Sequence, residues 1–386
     1  MAWDKGESVA FTCAYAGNLL DIAKCLRNVE KISGINRIEV LDELKLLADD
    51  EILYNCPDKK QDLLMSYAKA CENCTSGSTV LVPIAAICEN LEHKAEWMMK
   101  NIRENEWISD GTDGGWFNGY YDNNGRPVER CESGDVRMML TGQVFAIMSG
   151  TAKKEQIKAI CNSADKYLFD QKAGGYRLNT DFKEEKFDLG RMFGFAYGEK
   201  ENGAVFSHMA VMYANALYKQ GFIKEGYKVL KTLLDTAMDF DRSRMYPGVP
   251  EYFDNDGRGL YSYLTGAASW YMLTMITSVY GVHGELGDLV IEPVLMPQQY
   301  NEKGDAKVSL EFAGHGFDIL VHNPDKLEPG DAQVKRALCD DVKVENVTGN
   351  SVRIPRHAIE MLSTDKCHTV ETVSYTHLTL PTNSLV

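Results

Sequence analysis

Positive charge is what this chain is short of. Its 386 residues carry 41 Lys+Arg against 56 Asp+Glu, a formal net charge of −15. A domain that coats nucleic acid needs a basic face, so the balance excludes that class of partner. Long apolar runs are also missing by this reading: none approaches the roughly 20 residues that a membrane helix requires. The opening MAWDKGESVAFTC lacks the basic-then-apolar layout of a signal peptide. Proline is sparse, at 11 residues, which argues against a Pro-rich disordered chain. What is present is a globular balance, 44% hydrophobic and 25% charged. Such a length allows a large core and two or three domains.

Ten cysteines are present, scattered rather than framed. Most fall in helical-looking apolar stretches, where a thiol behaves as a small hydrophobe. Cys71 and Cys74 form one CxxC with no second pair nearby. A helix end is favoured there over a zinc or redox site. Reduced thiols in a cytoplasm are the economical reading. The Asn-x-Thr triplets at Asn73 and Asn346 then carry no weight as glycosylation sites.

To about residue 282 the pattern is helical. Apolar spacing predicts helices over 14–29, 38–49, 59–73, 83–104, 136–149, 153–168, 207–219, 222–239 and 260–280. The loops between them are rich in Gly, Tyr, Trp, Asn and Asp. After Gly287 short β-branched segments such as DLVIEPVL, AKVSLEFAG and GFDILVHN predict a small all-β domain. The last stretch, VSYTHLTLPTNSLV, fits neither part and resembles a translated sequencing adapter. The expected division is therefore 1–285 helical, 286–372 β, and a non-native tail at 373–386.

Tyr and Trp rings stack on the apolar faces of sugars, while Asn, Asp, Glu and Arg bind hydroxyls, so these loops read as a carbohydrate site. Packing of the rings onto the helices is the competing reading. Three segments stand out. In WFNGYYDNNG, Asp122 follows two tyrosines; partial desolvation would raise its pKa, as a general acid requires. An Asp that merely opens a turn is the alternative. In ENGAVFSH, His208 falls near a helix N-terminus, where backbone N–H groups attract anions; a structural hydrogen bond is the alternative. In YLTGAASW, a hydroxyl at Thr265 and the Gly266 N–H could cradle phosphate, or the small residues could simply pack helices closely.

These segments in this order, with YPGVPEYF before the third, resemble glycoside hydrolase family 94, the inverting β-glucoside phosphorylases. The resemblance covers most of 1–325. It implies a mainly α fold, an (α/α)6 barrel followed by a small all-β C-terminal domain. It also implies an N-terminal β-sandwich and linker absent here, so the chain reads as a truncated fragment. By motif, Asp122 matches the general acid; His208, Thr265 and Gly266 match phosphate ligands; Tyr121, Glu201 and Glu251 fall at sugar-binding positions. The family's Arg-Ala-Tyr-Asp is replaced by Asn-Gly-Tyr-Tyr-Asp, and its upstream Gly-Tyr-Arg-Asp has no visible counterpart. The implied activity is a glycosyltransferase-type phosphorylase taking a β-linked glucose disaccharide or oligosaccharide and phosphate. No metal or organic cofactor is implied, and a homodimer is. An inverting hydrolase on the same barrel and a catalytically incomplete sugar-binding fragment are the alternatives.

Overall fold

The computed structural model describes residues 6–48, 55–132, 134–245, 248–262 and 266–374. It divides into two compact units, Met1–Met209 and Ala210–Val386.

The first unit begins with α1 (Val9–Ser33). Ser8 caps it, its Oγ accepting from the Phe11 N–H at 3.2 Å, and Gly34 ends it with φ +71° and an N–H donated to Glu30. Only glycine takes that left-handed cap at no steric cost. By length and composition α1 is long and apolar enough to cross a membrane, which the sequence reading missed. Its buried residues Ala16 and Leu19 instead pack on Ala95, Met98 and Met99 of α4 (Ile84–Asn105). Ala23 meets Ile84 and Cys88 in a second cluster.

Between these helices the helix expected over 38–49 forms only from Asp42 on. Arg37–Leu41 is a strand paired antiparallel with Thr79–Pro83; only a short turn and α2 (Lys45–Ala48) follow it. α3 (Pro57–Ala70) starts on a proline, tolerated in a first turn that lacks N–H acceptors anyway. Cys71 is its C-cap, and all ten cysteines are free thiols. Among the described residues no group of three or more His, Cys, Asp and Glu side chains is placed to hold a metal.

The rest of the unit alternates short hairpins with α5 (Leu140–Met148) and α6 (Lys154–Ser163). Trp107–Ser109 pairs with Gly115–Phe117; the Trp107 indole lies where a Cβ on Gly115 would be, 2.4 Å away.

The unit boundary falls within α7 (Ser207–Lys219). The second unit continues with α8 (Ile223–Met238), α9 (Phe240–Ser243) and α10 (Gly266–Thr274). The helix expected over 260–280 is shorter than that span, because Gly259–Leu260 is a strand paired with Tyr252–Phe253. From Val282 the chain builds two sheets, interrupted by α11 (Arg356–Glu360). The larger has five strands, with His315–His322 between antiparallel Asp305–Phe312 and parallel His368–Ser374. Phe317, Ile319 and Val321 alternate inward, the period-2 burial that pins strand register. Ser374 pairs with Val334; residues 375–386 of the expected tail lie outside the described residues.

Candidate active site

The segment Trp116–Arg130 is held from below by α5. Gln143 takes the Phe117 backbone on both sides: its Oε1 accepts the N–H at 2.8 Å and its Nε2 donates to the carbonyl at 2.8 Å. One residue pair on, Gly119 and Gly142 cross so closely that a Cβ on Gly119 would sit 3.2 Å from the Gly142 Cα. Glu129 completes the anchor. Its Oε2 accepts the Gly119 N–H at 2.5 Å and its Oε1 accepts the Met139 N–H at 2.6 Å. The side chain is fully enclosed, and burial pushes its carboxyl up to about 8.

This frame presents Tyr121 and Asp122. The Tyr121 hydroxyl donates to Glu106, 2.8 Å from Oε1, and Asn118 donates to the same carboxylate at 3.0 Å. Burial and the Glu106 carboxylate together push the Tyr121 phenol to about 12. Glu106, Trp107, Tyr121, Glu129, Arg130 and Glu132 are among the residues lining a cleft of about 320 Å³.

Asp122 is 3% exposed. Its Oδ1 accepts the backbone N–H groups of Asn124 (2.8 Å) and Arg126 (2.9 Å). Its Oδ2 takes the Arg126 guanidinium, 2.9 Å from Nε and 2.8 Å from Nη2. Its carbonyl accepts from Gly125, which turns at φ +71°. The expected upward pKa shift is therefore overturned. Burial is the largest single influence and pushes up, but the Arg126 and Asn124 N–H groups with the guanidinium outweigh it, and the carboxyl lies below its usual range. The geometry is that of the competing reading, an Asp that opens a turn.

The second segment is a tight turn around Glu201–Asn202–Gly203. Asn202 is buried and donates to the Phe195 carbonyl at 2.8 Å. Gly203 has φ +75°, and a Cβ there would lie 2.1 Å from the Tyr197 ring. Asn179 accepts the Gly203 N–H at 2.8 Å and donates to Asn202 at 3.2 Å. Arg177 donates to the Gly203 carbonyl at 2.6 Å while pairing with Asp170. The result displays Glu201, which meets Arg191 at 3.3 Å. His208 is the second residue of α7 and half-buried; burial lowers its pKa, favouring the neutral ring.

The two segments are tied to each other within the first unit. Glu129 binds the Met139 N–H, Met139 bridges to Asn179, and Asn179 binds Gly203. Val128, Met139, Phe182 and Phe193 pack as one cluster beneath them. Of the other expected site residues, Glu251 and Gly266 belong to the second unit. The Glu251 N–H donates to the Leu260 carbonyl at 3.1 Å, and Gly266 is the exposed first residue of α10. Thr265 lies outside the described residues, as does Tyr246 of YPGVPEYF.

Sequence reasoning missed Arg126, Glu129, Arg177 and Asn179. Arg126 carried a signal, four residues after Asp122 across an Asn-Asn-Gly turn. Glu129 carried no signal of its own.

An aromatic-lined, carboxylate-bearing site on a helix-rich scaffold defines a class of carbohydrate-active catalytic domain. The chain belongs to the glycosyl hydrolase 94 superfamily, whose catalytic domain it matches over residues 85–281. It is similar to a cellobionic acid phosphorylase of Neurospora crassa, 28% identical over 252 residues, covering 59% of this chain and 31% of the relative. It is 25% identical over 231 residues to a 3-O-beta-D-glucopyranosyl-beta-D-glucuronide phosphorylase of Paenibacillus borealis, covering 58% and 29%. It is 26% identical over 246 residues to an N,N'-diacetylchitobiose phosphorylase of Vibrio proteolyticus, covering 60% and 30%. The chain thus spans about a third of the length of the curated relatives it matches.

Proposed function

We propose that this chain carries the acid-bearing part of an inverting β-glucoside phosphorylase. Residues 1–285 would contribute to an (α/α)6 barrel and residues 286–372 to the β domain that follows it. Phosphate attacks the anomeric carbon from the face opposite the leaving sugar. Asp122, protonated, donates to the glycosidic oxygen as that bond breaks, and the product is α-glucose 1-phosphate. Phosphate is a charged nucleophile already, so one carboxylic acid suffices where an inverting hydrolase needs a second carboxylate to activate water.

The observation that carries this reading is the match of residues 85–281 to the glycosyl hydrolase 94 catalytic domain, with phosphorylases among the similar relatives. His208 as a neutral imidazole would donate a hydrogen bond to phosphate, and Thr265 and Gly266 are the further phosphate ligands proposed by motif. Tyr121, Glu201 and Glu251 would contact sugar hydroxyls. The protein would work in the cytoplasm, as a homodimer and without metal or organic cofactor.

The test is to supply β-linked glucose disaccharides with and without phosphate and to measure α-glucose 1-phosphate. Phosphate-dependent release is expected. Equal glucose release without phosphate would make the protein a hydrolase. Sugar binding by calorimetry with no turnover in either direction would make it a binding protein.

A further inference from the structure

Asn-Gly is the pair in a protein chain most prone to lose its side-chain amide in neutral water. The glycine nitrogen attacks the asparagine side-chain carbonyl, and no Cβ on the glycine blocks the approach. The chain carries three such pairs, Asn118–Gly119, Asn124–Gly125 and Asn202–Gly203. As sequence they are equivalent. All three glycine N–H groups are hydrogen-bonded in the fold, so the ease of releasing them separates the pairs. Gly119 donates to the enclosed Glu129 carboxyl, and the buried Asn118 side chain is tied at both ends, to Glu106 and to the Glu129 N–H. Gly203 donates to Asn179, and the Asn202 side chain is tied to Phe195 and Asn179. Gly125 donates instead to the Asp122 carbonyl at 3.0 Å, in a turn whose residues 124–127 are all exposed. The Asn124 side chain has no hydrogen-bond partner among the described residues.

We propose that Asn124 is a site of spontaneous covalent modification, which converts its amide to a carboxylate and loosens the turn that holds Asp122. The Gly125 nitrogen gives its proton to water and bonds to Asn124 Cγ. The Cγ–Nδ2 bond breaks, and Nδ2 leaves as ammonia, carrying a proton from water. One water then opens the five-membered imide, so the sum is amide plus water giving acid plus ammonia. Opening at the side-chain carbonyl leaves aspartate. Opening at the backbone carbonyl leaves a β-linked residue, with the main chain running through Cγ. That second product adds one carbon to the backbone between residue 124 and Gly125. Asp122 Oδ1 accepts the N–H groups of Asn124 and Arg126, one on each side of the altered link. A longer link cannot hold both on one oxygen in the same geometry. Releasing the exposed turn hydrogen bond slows the attack roughly two- to tenfold. Releasing the enclosed braces at Gly119 and Gly203 slows it roughly a hundredfold or more, because buried partners are left unsatisfied.

The experiment incubates the full chain for several weeks at mildly alkaline pH and physiological temperature. Peptide mapping by mass spectrometry reads amide loss at Asn118, Asn124 and Asn202, with fragmentation that tells aspartate from the β-linked product. A parallel sample in denaturant reads the rates that sequence alone sets. In denaturant the three pairs should convert at similar rates. In the folded chain Asn124 should stay within about tenfold of its denatured rate, while Asn118 and Asn202 slow by about a hundredfold or more. A folded Asn124 as slow as the other two overturns the site, and so do folded Asn118 and Asn202 that keep pace with it. The converted protein carries one added negative charge, so ion exchange separates it. Its Arg126 N–H should exchange with deuterium faster than in the unconverted protein; equal exchange overturns the loosening of the turn. In Asn124→Gln the charge gain should nearly vanish, because a glutamine must close a larger ring. A charge gain at the original rate would place the reaction at another amide and overturn the assignment.

Discussion

The arm that carries Asp122 and the turn that displays Glu201 solve the same problem with different chemistry. Both must hold an irregular stretch of backbone and its carboxylate in place. The arm is braced by titratable groups: Glu129 clasps two N–H groups from inside the core, and Arg126 closes on Asp122. The turn is braced mostly by neutral groups: Asn179 donates to Asn202 and accepts the Gly203 N–H, with the Tyr197 ring filling the space a side chain would need. The contrast separates a pH-responsive scaffold from an indifferent one. Amide groups do not titrate, whereas a buried carboxyl answers to pH through the folding equilibrium.

The largest effect expected on this comparison is catalytic. Asp122→Asn, assayed in a full-length form, should lower turnover about 100- to 10,000-fold, the span of a general acid's contribution; near-normal turnover would remove Asp122 from the role. Gly203→Ala tests the neutral brace. It forces a methyl into the Tyr197 ring at φ +75° and should cost about 3 kcal/mol in denaturant unfolding. A loss within experimental error would mean the turn relaxes freely.

Glu129→Gln tests the carboxyl brace, because an amide offers one acceptor to two N–H groups. It should cost about 2 kcal/mol at neutral pH. Its pH signature is sharper. The folded pKa of Glu129, about 8, lies above its unfolded value, so the folded chain retains a proton that the unfolded chain releases. That contribution is complete below the unfolded carboxyl pKa and lost as pH rises through 8. The variant should flatten this decline by up to one proton's slope; parallel curves for both proteins would show that Glu129 does not titrate in the fold. The smallest effect is at His208. His208→Ala should raise the phosphate requirement by about tenfold, near the worth of one hydrogen bond, and an unchanged phosphate dependence would count against the assignment.

The helices at Ile84–Asn105, Ser207–Lys219 and Ile223–Met238 were legible because each carries its own amphipathic period. Residues 38–49 carry a helix-like spacing too, yet 37–41 fold as a strand. Their partner, Thr79–Pro83, lies some forty residues on, and pairing across such a distance leaves no local mark. The same holds in the site. Asp122 was visible as an Asp among rings, but its ionisation was read with the wrong sign. Desolvation can be guessed from neighbouring aromatics; competition from Arg126 depends on where the Asn-Asn-Gly turn sends the chain. Nothing in RPVER announces the enclosure of Glu129.

By itself the sequence determined the kinds of element, the aromatic and acidic character of the loops, and the motifs that mark a family 94 catalytic domain. These are local properties, encoded in periodicity and residue type. The tertiary structure alone decided which carboxyls are enclosed and what stands against them. A pKa is set by dielectric and by charges a few ångströms away, and those neighbours come from residues such as Met139, Asn179 and Arg126 that only folding brings into place.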